Sequence, residues 1–313
     1  MSTLICGSMA YDTIMVFPDR FKHHILPEQI HMLSISFLVP EMRREFGGCA
    51  GNIAYTLKAL GDDPLILATV GSDFGPYAAR LDRLGISRDG LRELPEHFTG
   101  QCFITTDLDD NQINAFHPGA MNFAHFARVA ELQAKPQLAI VAPDGKQGMQ
   151  EHCAELKAAG IPFVFDPGQG LPMFSGDELL PMIDAADYLA CNDYEAQMLI
   201  QKTSLSLEGL ASRVRALIVT LGGEGSHIYA DGVRHDIPVV PAATLADPTG
   251  CGDAFRAGLL YGIRRGWDWP TTGRLASLLG SIKIAERGPQ NHQADLATVA
   301  ARFEQAFGYA LPA

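Results

Sequence analysis

A glycine-rich turn followed by a carboxylate is the strongest chemical signal in this sequence. It runs from Ala246 to Gly258 (ADPTGCGDAFRAG), with glycines on both sides of Cys251 and with Asp253 close behind. At the start of a helix, such a turn presents unpaired backbone N–H groups at the positive end of the helix dipole, where anions bind. Asp253 would lie beside the anion, where a general base for phosphoryl transfer belongs. Asp and Gly also cap helices without any catalytic role, so the motif alone leaves both interpretations open.

Cys251 offers a second chemistry in the same turn. A helix N-terminus lowers the pKa of a thiol, so Cys251 could be a nucleophile. A small side chain fitted into a tight turn is the simpler interpretation. The six cysteines are scattered without a CxxC spacing, which favours reduced thiols and a cytoplasmic protein.

Two further clusters could hold a polyhydroxylated ligand such as a sugar. Asp12 follows the first apolar run, so we expect it near the carboxyl end of that strand, where a carboxylate can accept two vicinal hydroxyls. The segment Gly47–Asn52 (GGCAGN) precedes an apolar helix. Its glycines allow close backbone approach, and Asn52 supplies donors and an acceptor. A turn Asp and a flexible strand-to-helix turn are the structural alternatives.

Two later clusters could serve a nucleotide. Asn192 and Glu195 are three residues apart at a helix start and could hold Mg²⁺ through water, although N-x-x-E is also a capping box. Thr220–Gly225 (TLGGEG) is either a hairpin turn or a backbone segment that lines a flat base. The sequence contains neither GxGxxG in a dinucleotide-binding context nor GxxxxGK[ST], which argues against a dinucleotide fingerprint and a P-loop.

Composition narrows the class of protein. The chain has 313 residues, 47% of them hydrophobic, and a net charge of −12. This balance is typical of a globular enzyme and argues against a basic face for nucleic acid or a polybasic membrane anchor. No apolar run approaches the roughly 18 residues of a membrane span, and the N-terminus is typical of a strand rather than a signal peptide. We therefore expect neither a nucleic-acid nor a membrane partner.

Short apolar runs alternate with helical patterns along the chain, which predicts a doubly wound α/β fold with a mostly parallel sheet flanked by helices. Ligands then bind at the carboxyl ends of the strands. We predict one domain over residues 1–313, with a small β-sheet lid built from inserts at about 12–46 and 101–118. The run Met32–Val39 and a hairpin around Asp107–Asn111 mark these inserts. Strands are predicted at 3–6, 65–70, 101–105, 138–142, 163–165, 188–191 and 216–220, and helices at 52–60, 77–84, 149–159, 194–200, 207–215 and 254–263.

The order of these motifs along an α/β chain resembles the ribokinase-like (PfkB) family of carbohydrate and nucleoside kinases. Gly47, Gly48 and Asn52 match the family's N-terminal signature, and residues 247–255 match its C-terminal one. The resemblance implies that Asp253 is the catalytic base and that Gly250, Cys251 and Gly252 form the anion hole. It implies that the substrate hydroxyls bind to Asp12, Gly47, Gly48 and Asn52. Mg²⁺ and its waters would bind to Asn192 and Glu195, and ATP to these two residues and to Thr220, Gly222 and Gly225. A monovalent cation such as K⁺ would bind near Asp247, Thr249, Ala285 and Gly288.

Within that family the chain is most similar to bacterial adenosine-type nucleoside kinases. The similarity implies ATP-dependent phosphorylation of a ribonucleoside 5′-hydroxyl, and a nucleobase slot formed by Phe103, Phe116, Met121 and Gln169, unless these residues only pack in the core and lid. No basic residue follows Gln169, so a phosphate clamp from that segment is not expected. A kinase for a free sugar such as ribose or fructose, and a nucleoside-binding protein without catalysis, remain alternatives. An exposed edge of the lid could support a homodimer.

Overall fold

A nine-stranded sheet forms the centre of the molecule, and a four-stranded sheet projects from it. The computed structural model describes residues 2–25, 34–109 and 111–312. The strands in these ranges are β1 (Ser2–Cys6), β2 (Ala10–Val16), β3 (Glu41–Gly47), β4 (Asp63–Gly71), β5 (Leu91–Leu94), β6 (Gly100–Thr106), β7 (Gln112–His117), β8 (Leu138–Val141), β9 (Phe163–Phe165), β10 (Tyr188–Asn192), β11 (Ala216–Thr220), β12 (Ser226–Ala230) and β13 (Val233–Ile237).

The large sheet has the order β13-β12-β11-β10-β9-β8-β1-β4-β5. Its strands are parallel from β11 to β5, and the two strands at the other edge are antiparallel. The central strands β8 and β9 are buried along their whole length, as strands covered on both faces must be. The prediction of a mostly parallel, doubly wound sheet is confirmed.

Helices cover both faces of the large sheet. They are α1 (Cys49–Ala59), α2 (Gly75–Leu84), α3 (Lys146–Ala159), α4 (Gly176–Ala185), α5 (Asp193–Thr203), α6 (Leu207–Ala211), α7 (Cys251–Arg265), α8 (Trp269–Ile284) and α9 (Leu296–Phe307). Successive residues of β1 enter two separate cores, because side chains alternate along a strand. Ile5 packs in the core under α1, α2, α7, α8 and α9, whereas Leu4 and Cys6 pack in the core under α3 to α6.

The small sheet has the order β3-β2-β6-β7, so both predicted inserts supply its strands. The hairpin between β6 and β7 is confirmed. Its turn is closed by Asp107, whose carboxylate accepts the N–H groups of Asp109 and Asn111 at 2.9 Å each. Within the run Met32–Val39, residues 32 and 33 lie outside the described residues, and residues 34–39 form no strand.

Two sequence predictions need correction. The helix predicted over 207–215 ends at Ala211, where the hydroxyl of Ser212 donates to the carbonyl of Gly209 and the chain turns toward β11. Asp12 lies within β2 of the small sheet, so the alternative interpretation as a turn Asp is wrong. Among the helices of the described chain, none combines the length and apolar character that crossing a membrane requires.

Candidate active site

The N-terminus of α7 is built to remain open. Gly250 is its N-cap residue and has a φ of 83°, a conformation that favours glycine. A Cβ at Gly250 would also lie 2.7 Å from Pro289, whereas one at Gly252 would meet no atom within 4 Å. No side chain caps this helix. The first-turn N–H groups of Gly252 and Asp253 therefore face open space at the positive end of the dipole, while that of Cys251 donates to the carbonyl of Pro248 at 3.1 Å.

Asp253 is hydrogen bonded to a residue 201 positions away in the sequence. The side-chain amide of Asn52, in the first turn of α1, donates to its carboxylate at 2.8 Å. Burial raises the pKa of Asp253 to about 6, and the bond from Asn52 partly opposes that shift. A carboxylate with this pKa is ionised at neutral pH and is a stronger base than an ordinary aspartate.

A hydrogen-bond network that no sequence motif revealed fixes the orientation of Asn52. The amide nitrogen of Gln290 donates to the side-chain oxygen of Asn52 at 3.0 Å and also contacts the hydroxyl of Tyr77. The Tyr77 hydroxyl donates in turn to the backbone carbonyl of Gly47 at 2.9 Å. The side-chain oxygen of Asn52 accepts from Gln290, so its amide nitrogen must face Asp253. The loop residue Gln290 carried no motif that could have identified it.

Asp12 lies on the face of the small sheet that carries the other candidate substrate contacts. It is paired with Glu45 of β3 and with Cys102 of β6. Burial raises its pKa to about 6, and the charges of Asp253, Asp247 and Glu45 add to that shift. A Cβ at Gly47 would lie 2.4 Å from its carboxylate, so a larger residue at position 47 would displace that carboxylate. The negative charge of Asp253 thus acts on the carboxyl group of Asp12.

The strand register places two residues of the predicted nucleobase slot, Phe103 and Phe116, on opposite faces of the small sheet. Cys102 pairs with both Asp12 and Phe116, so these three side chains share one face of the small sheet. Phe103 is the next residue along β6 and points to the opposite face, so it cannot line a slot with Phe116. Met121 lies in the short helix Gly119–Phe126, and Gln169 is an exposed residue of the short helix Gly168–Met173 after β9. The roles of both residues stay predictions.

Asn192 and Glu195 form the capping box that the spacing allowed. The Glu195 carboxylate accepts the N–H of Asn192 at 2.8 Å, and the Asn192 side-chain oxygen accepts the N–H of Glu195 at 2.7 Å. Burial raises the pKa of Glu195, so a nearby cation would favour its ionised form. In the part of the chain that the structure describes, no group of three or more acidic, His or Cys side chains could hold a metal. The capping role of Glu195 is nevertheless compatible with a water-mediated contact to Mg²⁺, because each carboxylate oxygen has spare lone pairs.

The segment Thr220–Gly225 is a hairpin turn. Its short helix Gly222–Glu224 joins the antiparallel strands β11 and β12, as one of the two sequence interpretations predicted. Gly222 and Gly225 have φ values of 56° and 94°. Thr220 ends β11 beside Asn192, its partner in β10. The turn therefore lies at the same edge of the sheet as the capping box.

A buried ion pair that no sequence motif predicted influences both Asp253 and the capping box. Arg256, one turn beyond Asp253 on α7, donates to the carboxylate of Asp166 at 3.0 and 3.4 Å, and the two side chains are 7% and 9% exposed. Asp166 directly follows β9. The charges of this pair act on the pKa values of both Asp253 and Glu195. Arg256 thus acts electrostatically on both the candidate base and the capping box.

The loop predicted to bind a monovalent cation is tied together by hydrogen bonds within the protein. The carboxylate of Asp247 accepts the N–H groups of Thr249 and Gly288, each at 2.9 Å. The carbonyl of Ala285 accepts the hydroxyl of Thr244 at 3.3 Å. The ammonium group of the fully buried Lys283 donates to the carbonyls of Asp247 at 2.7 Å and Glu286 at 3.1 Å. A protein cation therefore already lies at this loop.

The surroundings of Cys251 argue against a thiol mechanism. Burial raises the pKa of its thiol to about 11, and the sulfur donates to the carbonyl of Asp247 at 3.8 Å. A raised pKa disfavours the thiolate that nucleophilic attack needs.

Replacing Cys251 by Ser is therefore expected to keep kcat within about tenfold of the wild-type value, because a hydroxyl can replace the thiol as a donor to the carbonyl of Asp247 and the open N–H groups of Gly252 and Asp253 are unchanged. Steady-state kinetics of the purified variant test this. Complete loss of turnover in a folded Cys251→Ser protein would favour the thiol mechanism instead.

The chain is similar over nearly its whole length to known kinases. A family model described as pfkB family carbohydrate kinase matches residues 8–295. A nucleoside kinase of Methanothermobacter thermautotrophicus is 31% identical over 305 residues, which cover 96% of this chain and 98% of the relative. The structure of Burkholderia thailandensis nucleoside kinase in complex with inosine is 54% identical, covers 99% of this chain and 100% of its own, and gives a TM-score of 0.90. Its complex with ADP-inosine gives 56% identity, 99% and 97% coverage and a TM-score of 0.88.

Proposed function

Because the chain belongs to the pfkB family of carbohydrate kinases, we propose that it transfers the γ-phosphoryl group of ATP to the 5′-hydroxyl of a ribonucleoside of the adenosine or inosine type. The observation that carries the proposal is the hydrogen bond between Asn52 and Asp253 at the open N-terminus of α7. It brings a base, a polar substrate contact and an anion site to one place. The similarity to the Burkholderia thailandensis enzyme in complex with inosine supports a nucleoside as acceptor.

In the proposed reaction, Asp253 accepts the proton of the 5′-hydroxyl as the oxygen attacks the γ-phosphorus. Asn52 holds the carboxylate in place, because Gln290 fixes the other end of its side chain. The open N–H groups at the start of α7, those of Gly252 and Asp253, stabilise the charge on the transferring group; within the expected anion hole Gly250–Gly252, the N–H of Cys251 is taken by the carbonyl of Pro248. Such preorganised donors commonly supply the largest catalytic term in phosphoryl transfer.

Mg²⁺ and ATP are assigned to the adjacent sheet edge. Asn192 and Glu195 would hold the ion through water, and the ion would neutralise charge on the phosphate oxygens. The segment Thr220–Gly225 would lie along ATP, because its exposed backbone faces the same edge. The Burkholderia thailandensis complex with ADP-inosine supports ATP as the phosphoryl donor.

The small sheet would bind the nucleoside. Asp12 would accept two ribose hydroxyls, and the backbone of Gly47 and Gly48 beside it would contact the ribose. Phe116 shares the face of Asp12 and could contact the base, with Met121 and Gln169 contributing from the neighbouring turns.

A panel of acceptors tests the proposal against the free-sugar alternative. Turnover of adenosine, inosine, guanosine, cytidine, ribose and fructose is measured by coupled ADP detection with ATP and Mg²⁺. We expect turnover of purine nucleosides and little with either sugar. Strong turnover of a sugar without any nucleoside turnover would contradict the proposal. Saturable nucleoside binding without ADP formation would favour a binding protein.

A homodimer formed through the small sheet is part of the proposal. Met42, Phe103 and Ile113 are exposed on the face turned away from Asp12, and a second copy could cover them. Light scattering of the purified protein would report the dimer. We also propose a cytoplasmic location, which the six free cysteines support.

A further inference from the structure

We propose that the ammonium group of Lys283 takes the place of a monovalent cation beside the anion site, so that turnover needs no added K⁺. The observation behind this proposal is the buried contact between Lys283 and the loop that leads into α7. The rate measurements below rest on the proposed kinase function, whereas the melting temperatures do not.

Lys283 is placed unlike an ordinary lysine at a helix end. It is the second-last residue of α8, where a lysine often neutralises the helix C-terminus while its head group stays in water. Here the side chain is completely buried. Burying an ammonium group is costly unless other groups satisfy it, so the surrounding oxygens must compensate. The carbonyls of Asp247 and Glu286 do so at 2.7 and 3.1 Å.

These contacts join the two segments that flank the anion site. The N–H groups of Ala246 and Asp247 donate to the carbonyl of Ile284 at 2.8 and 3.1 Å, and Lys283 holds the same pair of segments from the other side. Asp247 is followed by Pro248, whose carbonyl accepts the N–H of Cys251. The ammonium group therefore fixes the turn that orients the first N–H groups of α7.

The residues present do not fit an additional cation. Carbonyl and carboxylate oxygens are the ligands that such an ion would need. The carbonyls of Asp247 and Glu286 already accept from the ammonium group, and both carboxylate oxygens of Asp247 accept backbone N–H groups. A second positive charge among these oxygens would lie beside Lys283, in surroundings that screen repulsion poorly. The K⁺ site expected at Asp247, Thr249, Ala285 and Gly288 is therefore taken by the protein itself.

The charge of Lys283 meets backbone oxygens rather than a carboxylate. Its ammonium group donates to the carbonyls of Asp247 and Glu286, while the carboxylate of Asp247 accepts the N–H groups of Thr249 and Gly288. The loop therefore contains a positive charge of the protein, and its acceptors are directed at that charge or at backbone N–H groups.

The first test uses the wild-type protein. Nucleoside turnover is measured with ATP and Mg²⁺ in a buffer whose only monovalent cation is tetramethylammonium, and KCl or tetramethylammonium chloride is then added at equal ionic strength. We expect the same rates within about twofold, whereas a coupled cation site would change them by about 5- to 150-fold. Activation of that size in the wild-type protein would overturn the proposal.

The second test removes the charge. Lys283→Met keeps an unbranched side chain but leaves two carbonyls and Asp247 without their cation. We expect lower turnover, a rise of at least about fivefold when KCl or NH₄Cl is added, and a melting temperature that increases with KCl in this variant but not in the wild type. A folded Lys283→Met protein whose rate and melting temperature ignore these cations would overturn the proposal.

Lys202→Met is the matched control. Lys202 also donates to a backbone carbonyl, that of Phe174 at 2.6 Å, but it lies at the end of α5, outside the 244–250 and 284–288 segments. Its loss should leave the response to KCl at the wild-type level. If Lys283→Met does not fold, the wild-type rates and melting temperatures with KCl and with tetramethylammonium chloride decide the question alone.

Discussion

Replacing Asp253 by Asn is expected to lower kcat by about 10²- to 10⁴-fold while nucleoside binding remains close to that of the wild type. The amide cannot accept the proton of the attacking hydroxyl, but it has nearly the same shape and can still accept from Asn52. Steady-state kinetics and calorimetric titration with the nucleoside would measure the two quantities. Near-normal turnover of the variant would show that another group is the base.

Asp177→Asn is a suitable control for this change. Asp177 is also an acidic residue in the first turn of a helix, α4, but it is exposed and lies far from α7 in the sequence. Its replacement should leave kcat unchanged. The wild-type kcat/KM should also fall as the pH drops through about 6, because Asp253 then becomes protonated.

The Asp253→Asn variant should be more stable than the wild type at alkaline pH. Burial raises the pKa of Asp253 from 3.8 to about 6, so the folded protein holds an unfavourable buried carboxylate above that pH. The cost is absent below the unfolded pKa near 4 and complete above 6, and it amounts to at most about 3 kcal/mol. Denaturant unfolding at pH 8 and pH 4 should therefore show a gain in free energy of unfolding for Asp253→Asn only at pH 8.

Replacing Arg256 by Met is expected to lower the free energy of unfolding by about 3–5 kcal/mol, because it leaves the Asp166 carboxylate buried without its partner. Activity should fall as well. Burial is the main cause of the raised pKa of Asp253; Asp166 raises it further and Arg256 lowers it. The acidic limb of the kcat/KM profile should therefore move to higher pH in the variant.

The double variant Arg256→Met/Asp166→Asn separates a charge effect from a packing effect. It removes both charges, so it should regain part of the lost stability and return the acidic limb towards that of the wild type. Denaturant unfolding and pH profiles of the single and double variants provide the comparison. If the single variant unfolds like the wild type, or if its pH profile does not move, the pair has no role in setting the base.

The sequence was sufficient to predict the motifs and six strands of the central sheet, β1, β4 and β8 to β11, but not the strands towards its two edges, β5, β12 and β13. Strands such as β8 and β9 are short, apolar and buried on both faces, so hydrophobicity alone reveals them. The small sheet was harder to place. β3 reads EMRREFG and is largely exposed, so no apolar run marks it, and Asp12 was expected near the carboxyl end of β1 although it lies within β2.

The contacts that refine the site depend on tertiary geometry. Gln290 reaches Asn52 across 238 positions, and no spacing rule connects them. Phe103 and Phe116 looked equivalent in the sequence, but a strand alternates its faces, and only the register shows which one accompanies Asp12. Lys283 lies among apolar residues of α8, and nothing local shows that its head group meets a loop some 36 positions earlier.

The surroundings of Asp253 also decide how the protein resets between reaction cycles. In the proposed reaction, each transfer leaves a proton on this carboxyl, and the next hydroxyl is not activated until that proton has left. A carboxyl with a pKa near 6 gives up its proton at neutral pH. We therefore expect the base to regain its negative charge once the phosphorylated product departs and water reaches the carboxyl.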